Sequence, residues 1–294
     1  MYDIEQYCEA ATVQEAVNIL LANPDWRIIA GGTDILIKMH QGKIERAQLL
    51  GIGRIKSLKA IKCYEDGTIG IGSLATFQDV VNNPIIKENL FILAEAAATV
   101  GGPQIRAVAT IGGNICNGVP SADSAPALFT LKALLKLQTK TGERIVPVEQ
   151  FYLGPGLVDL NPGEILEEIM IIPDNYKGFG GNYIKFATRK AMDIATLSVA
   201  VNCRLDCKGV FTAVRIGLGV AGPTPIRCFE AEEFAIGNEP STEIITKICK
   251  LVLKSTTART SWRASKEYRE HLAAELTRRA LITAVARAGR DQIA

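Results

Sequence analysis

Arg27-Ile28-Ile29-Ala30-Gly31-Gly32-Thr33-Asp34 and Val108-Ala109-Thr110-Ile111-Gly112-Gly113-Asn114 follow one plan. In each, an apolar β-branched run stops at a glycine pair with a hydroxyl or amide side chain close by. Glycine carries no Cβ, so backbone there can approach a bulky anion such as a phosphate. Taken singly, each reads as an ordinary tight turn. Their shared flanks instead suggest two loops gripping one diphosphate.

Around the first pair the chain reads as a small α/β unit, residues 1–55. Thr12 caps a helix and Glu15 completes a capping box, with Ala16, Ile19 and Leu20 as the apolar face. A strand over 26–30 runs into the glycines, a short helix opens after Asp34, and a second strand covers 48–52. Such a helix start points backbone N–H groups at whatever the loop holds. Gly51-Ile52-Gly53-Arg54-Ile55-Lys56-Ser57 imitates a dinucleotide-fold turn, but the third glycine and the ribose-binding acid are missing. It reads as a strand end and a turn.

The second pair lies in a second unit, residues 56–175. Its expected elements are a strand over 69–72, a helix capped by Thr76, another running from Pro84 through Ala98, a hairpin around Thr141-Gly142, and a strand over 165–172. Residues 173–181, rich in proline, glycine and asparagine, read as a linker. The third unit, residues 176–294, then offers three antiparallel strands (183–188, 198–205, 210–220) and helices over 230–290, the last with a Leu272, Leu276, Leu281 stripe. The fold class is α+β.

Composition narrows the function classes. A net charge of +2 over 294 residues marks neither a nucleic-acid face nor a funnel for acidic substrates. Met1-Tyr2-Asp3-Ile4-Glu5-Gln6 lacks the basic start and apolar core of an export signal, and no run of eighteen apolar residues occurs, so a cytoplasmic protein outside the membrane is expected. Seven scattered cysteines without a C-x-x-C, and only two histidines, give no metal or iron–sulfur site. No G-x-S-x-G, H-E-x-x-H or P-loop is present, so no nucleophile–base team is visible. A chain with a cofactor grip and no acid–base team leaves the chemistry to the cofactor, which points to electron or hydride transfer.

One further position stands out. Asp123 reads either as a carboxylate for a ribityl or ribose hydroxyl or as the N-cap of the helix beginning near Ala125.

The two glycine motifs, Gly222-Pro223-Thr224-Pro225-Ile226-Arg227, and Ser261-Trp262-Arg263-Ala264-Ser265-Lys266-Glu267-Tyr268-Arg269 together resemble the FAD-binding subunits of molybdenum hydroxylases. That family includes xanthine dehydrogenases, aldehyde oxidases and carbon monoxide dehydrogenases, and the resemblance spans essentially the whole chain. It implies a two-subdomain FAD-binding fold of the vanillyl-alcohol-oxidase/PCMH type, followed by a C-terminal domain of a three-stranded antiparallel sheet with helices. It implies that residues 27–34 and 109–114 bind the FAD diphosphate and neighbouring groups, and that Asp123, Ile165, Ile184 and Lys185 contact or line the flavin. Under that resemblance Lys185 reads either as a charge favouring negative reduced flavin or as a solvated lysine at a strand end, and Arg189 with Asp193 either as residues shaping the flavin edge or as an ordinary ion pair.

The likeness is greatest to the FAD subunit of bacterial three-subunit xanthine dehydrogenases. It implies a molybdopterin-binding large subunit, a small subunit with two 2Fe-2S clusters, and a dimer of heterotrimers. Electrons from purine oxidation would pass through those clusters to FAD and on to NAD or dioxygen. Aldehyde, nicotinate and carbon monoxide dehydrogenases are the alternatives, with a self-contained FAD oxidase behind them.

Overall fold

Three sheets with their own helices follow one another along the chain in the computed structural model, which describes residues 2–289. The first sheet comes from β1 (Ile4–Glu9), α1 (Val13–Ala22), β2 (Arg27–Ile29), α2 (Ile35–His40) and β3 (Ala47–Gly51), with β3 between β1 and β2 and all strands parallel. The Thr12 hydroxyl caps α1 by accepting from Glu15 N at 3.1 Å, while the Glu15 carboxylate accepts from Ala11 N rather than from Thr12 N. Ala16, Val17 and Leu20 bury the inner face of α1. Its core is shared: Leu58, Leu74 and Ile165, all beyond residue 55, pack into it.

The second region runs through β4 (Ile61–Cys63), β5 (Ile69–Gly72), α3 (Phe77–Asn82), α4 (Pro84–Asn89), α5 (Phe91–Ala98), α6 (Pro103–Arg106), α7 (Ile111–Cys116), α8 (Ser124–Thr130), β6 (Leu134–Gln138), β7 (Glu143–Pro147), α9 (Val148–Phe151), β8 (Tyr152–Gly154), β9 (Leu157–Val158) and β10 (Ile165–Ile171). Its main sheet, ordered β4-β5-β10-β6-β7, is antiparallel, and the last strand in sequence becomes the central one. β8 and β9 form a separate ribbon. The helix expected from Pro84 through Ala98 breaks at Leu90, whose φ and ψ of −123° and 43° leave the helical region. The second glycine pair lies inside α7, where sequence suggested a loop; Thr110 caps this helix by accepting from Gly113 N.

The third region holds β11 (Gly180–Phe186), β12 (Leu197–Leu205), β13 (Phe211–Gly219), β14 (Ile226–Arg227), α10 (Phe229–Ala235), α11 (Thr242–Ser255) and α12 (Lys266–Ala288). The sheet has four antiparallel strands in chain order, not the expected three. The added β14 is two residues long, too short to show a strand period, and follows Pro223 and Pro225, which read as a turn. β11 begins inside the expected linker: a Cβ on Gly180 would lie 2.2 Å from Ala288 N, so glycine there lets α12 lie directly on the sheet. The helical stretch expected over 230–290 reaches one residue outside the described range.

Arg227 fastens this region to the second. It donates to Glu232 at 2.6 and 2.7 Å, to Phe129 O at 3.0 Å, and to Glu149.

Candidate functional site

A cleft of about 850 Å³ is walled by all three regions. Its wall includes Leu20, Trp26 and Gly163 from the first and second regions and Met192, Ile194 and Trp262 from the third. The two glycine segments meet within it. A Cβ on Gly31 would stand 1.9 Å from Val108 O and 3.1 Å from Ala109 Cα, so the first segment lies backbone against backbone on the second. Gly112 is packed in the same way on Ser73, whose carbonyl would be 2.5 Å from an added Cβ. The first glycine of each pair therefore serves packing between segments. The second faces the cleft in a different way each time: Gly32 needs its left-handed φ of +74°, and a Cβ on Gly113 would meet nothing but Thr110 Oγ1, at 2.9 Å.

The segments also differ in what they offer. Gly112 N, Gly113 N and Asn114 N are already spent on Ser73 O, Thr110 Oγ1 and Thr110 O. By contrast, the amides of Gly32, Thr33 and Asp34 make no hydrogen bond with the described residues. Ser73 Oγ, on the cleft wall, is buried and likewise without a partner among them. A buried polar atom left unpaired is costly, so such a group marks a place for a polar ligand. Across the gap, Lys38 Nζ donates to Asn117 Oδ1 at 2.6 Å, tying α2 to the end of α7. No carboxylate pairs with Lys38 among the described residues. A positive charge thus sits beside unclaimed amides, an arrangement suited to an anion.

Asp123 lines the cleft and is not a cap, since its side chain makes no bond to the start of α8. Its carboxylate accepts from Lys185 Nζ at 2.7 Å and from Tyr183 Oη at 3.2 Å. Lys185 also donates to Thr99 O at 3.1 Å. Burial pushes the Asp123 carboxyl above its ordinary value, with the Lys185 ammonium and the Tyr183 hydroxyl pulling the other way. Burial likewise drives the Tyr183 hydroxyl upward, and the Cys116 thiol on the cleft wall to about 12, so neither ionises near neutrality.

Two family models match: the FAD binding domain in molybdopterin dehydrogenase over residues 2–174, and the CO dehydrogenase flavoprotein C-terminal domain over residues 182–284. The chain belongs to the FAD-binding subunits of the molybdenum hydroxylases. It is an oxidoreductase subunit of α+β fold. Among its relatives is the xanthine dehydrogenase FAD-binding subunit of Escherichia coli O157:H7, 42% identical over 98% of this chain and 99% of that one. The nicotinate dehydrogenase FAD-subunit of Eubacterium barkeri is 33% identical over 77% of each chain. A chain of the carbon monoxide dehydrogenase from Hydrogenophaga pseudoflava superposes with a TM-score of 0.92 at 29% identity, over 98% and 99% of the two chains.

FAD fits the cleft of this family member on three observations: unclaimed amides beside Lys38 suit a diphosphate, the orphaned Ser73 hydroxyl suits a polar contact, and the volume lies within the range of roughly 300–1,000 Å³ usual for ligand sites. Of the residues expected at the flavin, all of 27–34 except Ile29 line the cleft, and all of 109–114 except Ile111; Asp123 and Ile165 line it as well. Ile29 packs beneath it with Met39 and Leu49, and Ile111 is fully buried in the second core. Ile184 and Lys185 are off the wall: Ile184 packs on the third core, and Lys185 reaches Asp123 from behind.

Sequence reading missed Lys38, Ser73, Glu164 and Trp262, all on the wall. Lys38 had a usable signal, because it stands four residues after Asp34 and so shares its helical face. Ser73 and Glu164 lie at strand ends that only the sheet order brings to the cleft.

Proposed function

We propose that this chain is the FAD subunit of a xanthine dehydrogenase-type complex, taking electrons from partner iron–sulfur clusters and delivering them to NAD. The 42% identity along nearly the whole of a xanthine dehydrogenase FAD-binding subunit carries this reading. The partners would be a molybdopterin-binding large subunit and a small subunit with two 2Fe-2S clusters, in a dimer of heterotrimers in the cytoplasm. Three units, residues 1–55, 56–175 and 176–294, would enclose the cofactor between them.

FAD, when bound, supplies the two-electron carrier; the chain's residues hold and shield it. The free amides of residues 32–34 and the Lys38 ammonium would take the diphosphate, with the abutting glycine backbones leaving room for it. Ser73 Oγ would gain the partner it lacks. Asp123 would present a carboxylate to cofactor hydroxyls, kept in place by Lys185. That pair is close to neutral as a unit, so Lys185 acts by positioning Asp123 and not by lending charge to the flavin. Purine hydroxylation would belong to the large subunit, in keeping with the absence of an acid–base pair in the sequence.

Co-purification of the complex and assay with xanthine and NAD tests the reading. Xanthine-dependent NADH formation with one FAD per chain is expected. Oxidation of nicotinate or an aldehyde in place of xanthine would remove the purine assignment and leave the family intact.

A further inference from the structure

On the cleft wall, Trp262 stands 85% exposed on a tight turn, far out of any core. The turn is rigidly held. Ser261 N donates to Ala264 O at 2.9 Å, Arg263 N to Ser261 Oγ at 3.3 Å, and Lys266 N to Thr260 Oγ1 at 3.0 Å. From below, the buried Arg269 donates to Ser261 Oγ at 2.9 Å and to Thr196 O. One face of the indole is covered by the Arg263 guanidinium, 4.2 Å from its centroid. Met192 and Ile194, both half exposed, complete an apolar rim.

The arginines around this ring are unpaired. Arg259, Arg263 and Arg269 form a cluster, and none of the three has a carboxylate within ion-pair distance among the described residues. Of the neighbouring charges, Lys266 pairs with Glu270 and Arg189 with Asp193, while the exposed Glu267 in the first turn of α12 has no ion-pair partner among the described residues. An aromatic face backed by unpaired guanidinium groups suits a planar ring that carries phosphate. A nucleotide meets both requirements, and an apolar protein surface meets only the first.

We propose that Trp262 with Arg263 and Arg259 is the docking platform for the dinucleotide electron acceptor, its adenine stacked on the indole and its diphosphate against the guanidinium groups. The inference rests on the NAD-delivering reading given above. The acceptor's reactive ring has to enter the cleft, so the rim is left to hold the other end of the molecule. Arg269 is a positioning residue here: it fixes the turn and reaches no ligand.

The test uses the purified complex with Trp262→Ala, Trp262→Phe and Arg263→Gln. Stacking on an aromatic ring is worth enough that its loss raises the NAD KM about tenfold in Trp262→Ala. The ratio of NAD-dependent to ferricyanide-dependent turnover falls alike, and Trp262→Phe recovers most of both. Arg263→Gln raises the NAD KM as well. Independently, ADP-ribose quenches tryptophan fluorescence in the parent complex and not in Trp262→Phe. An unchanged NAD KM in Trp262→Ala overturns the platform while leaving NAD delivery standing. So does loss of partner subunits from Trp262→Ala on size exclusion, which would assign the ring to a subunit interface. A parent complex that reduces ferricyanide but not NAD removes the underlying reading, and the platform with it.

Discussion

Lys185 Nζ lies 2.7 Å from Asp123 Oδ2, with the two side chains only 9% and 10% exposed. Asp123 precedes α8 and Lys185 sits on β11, so the pair joins the second and third regions directly behind the cleft wall. Removing one partner strands the other charge in low dielectric, which costs far more than the pair itself contributes. Lys185→Met should therefore destabilise the chain by about 3–5 kcal/mol. Lys185→Met with Asp123→Leu should cost clearly less than the sum of the two single changes. Denaturant unfolding of the four proteins measures this; additivity would mean that the two groups do not depend on each other.

The glycine pairs separate into packing and cleft-facing roles, and substitutions should separate them too. In Gly31→Ala, a methyl 1.9 Å from Val108 O forces the two segments apart. We expect loss of flavin on purification and a drop in melting temperature. Gly113→Ala meets nothing but the Thr110 hydroxyl, whose displacement gives up only the cap of α7, worth about 1 kcal/mol, so its fold should survive and its flavin affinity fall modestly. Flavin fluorescence titration and thermal melts read both effects. Equal losses from the two variants would show that the segments tolerate separation.

The glycine pairs, most element positions and the third region's strands could be read from local pattern, because each rests on spacing along the chain. What pattern did not show depends on contacts between distant segments. The reason Gly31 must be glycine is Val108, and the reason Gly180 must be glycine is α12. Thr110 gave α7 a cap, but the glycine pair behind it read as a loop. β14 escaped because two residues after a proline-rich turn carry no period, although Arg227 within it is tied to three other segments. The site was legible where a motif announced it and opaque where Ser73, Glu164 and Trp262 arrive from elsewhere.

Lys38 should matter to cofactor affinity through both charge and tether. Its bond to Asn117 spans the two halves of the grip at 2.6 Å. A hydrogen bond to a charged group is worth about 1.5–3 kcal/mol, so Lys38→Met should weaken FAD binding roughly tenfold or more. Because salt screens an ammonium–phosphate attraction, the variant's affinity should also depend less on ionic strength. Titration of FAD-stripped chain at low and high salt checks this; an unchanged salt response would place Lys38 away from the diphosphate.

Glu164, on the cleft wall next to β10, provides a pH-dependent test of the same region. Its carboxylate receives Arg144 Nη2 at 2.6 Å, Arg144 Nε at 3.0 Å and Asn161 N at 2.8 Å. Burial acts to raise its titration point, but the Arg144 and Asn161 hydrogen bonds prevail and hold it below the ordinary value. The folded state therefore favours the ionised form. Its contribution is complete above the unfolded value of about 4.3 and disappears as pH falls through the lower folded value. Glu164→Gln should cost about 1–3 kcal/mol at pH 7, since the charge-assisted bonds to Arg144 are weakened while Asp159 still receives Arg144 Nη1. As pH falls through that lower folded value the parent protein's own carboxylate protonates and the two proteins should converge. Melting both across pH 3–7 decides it: a gap as wide at pH 3 as at pH 7 would mean that the carboxylate's charge plays no part.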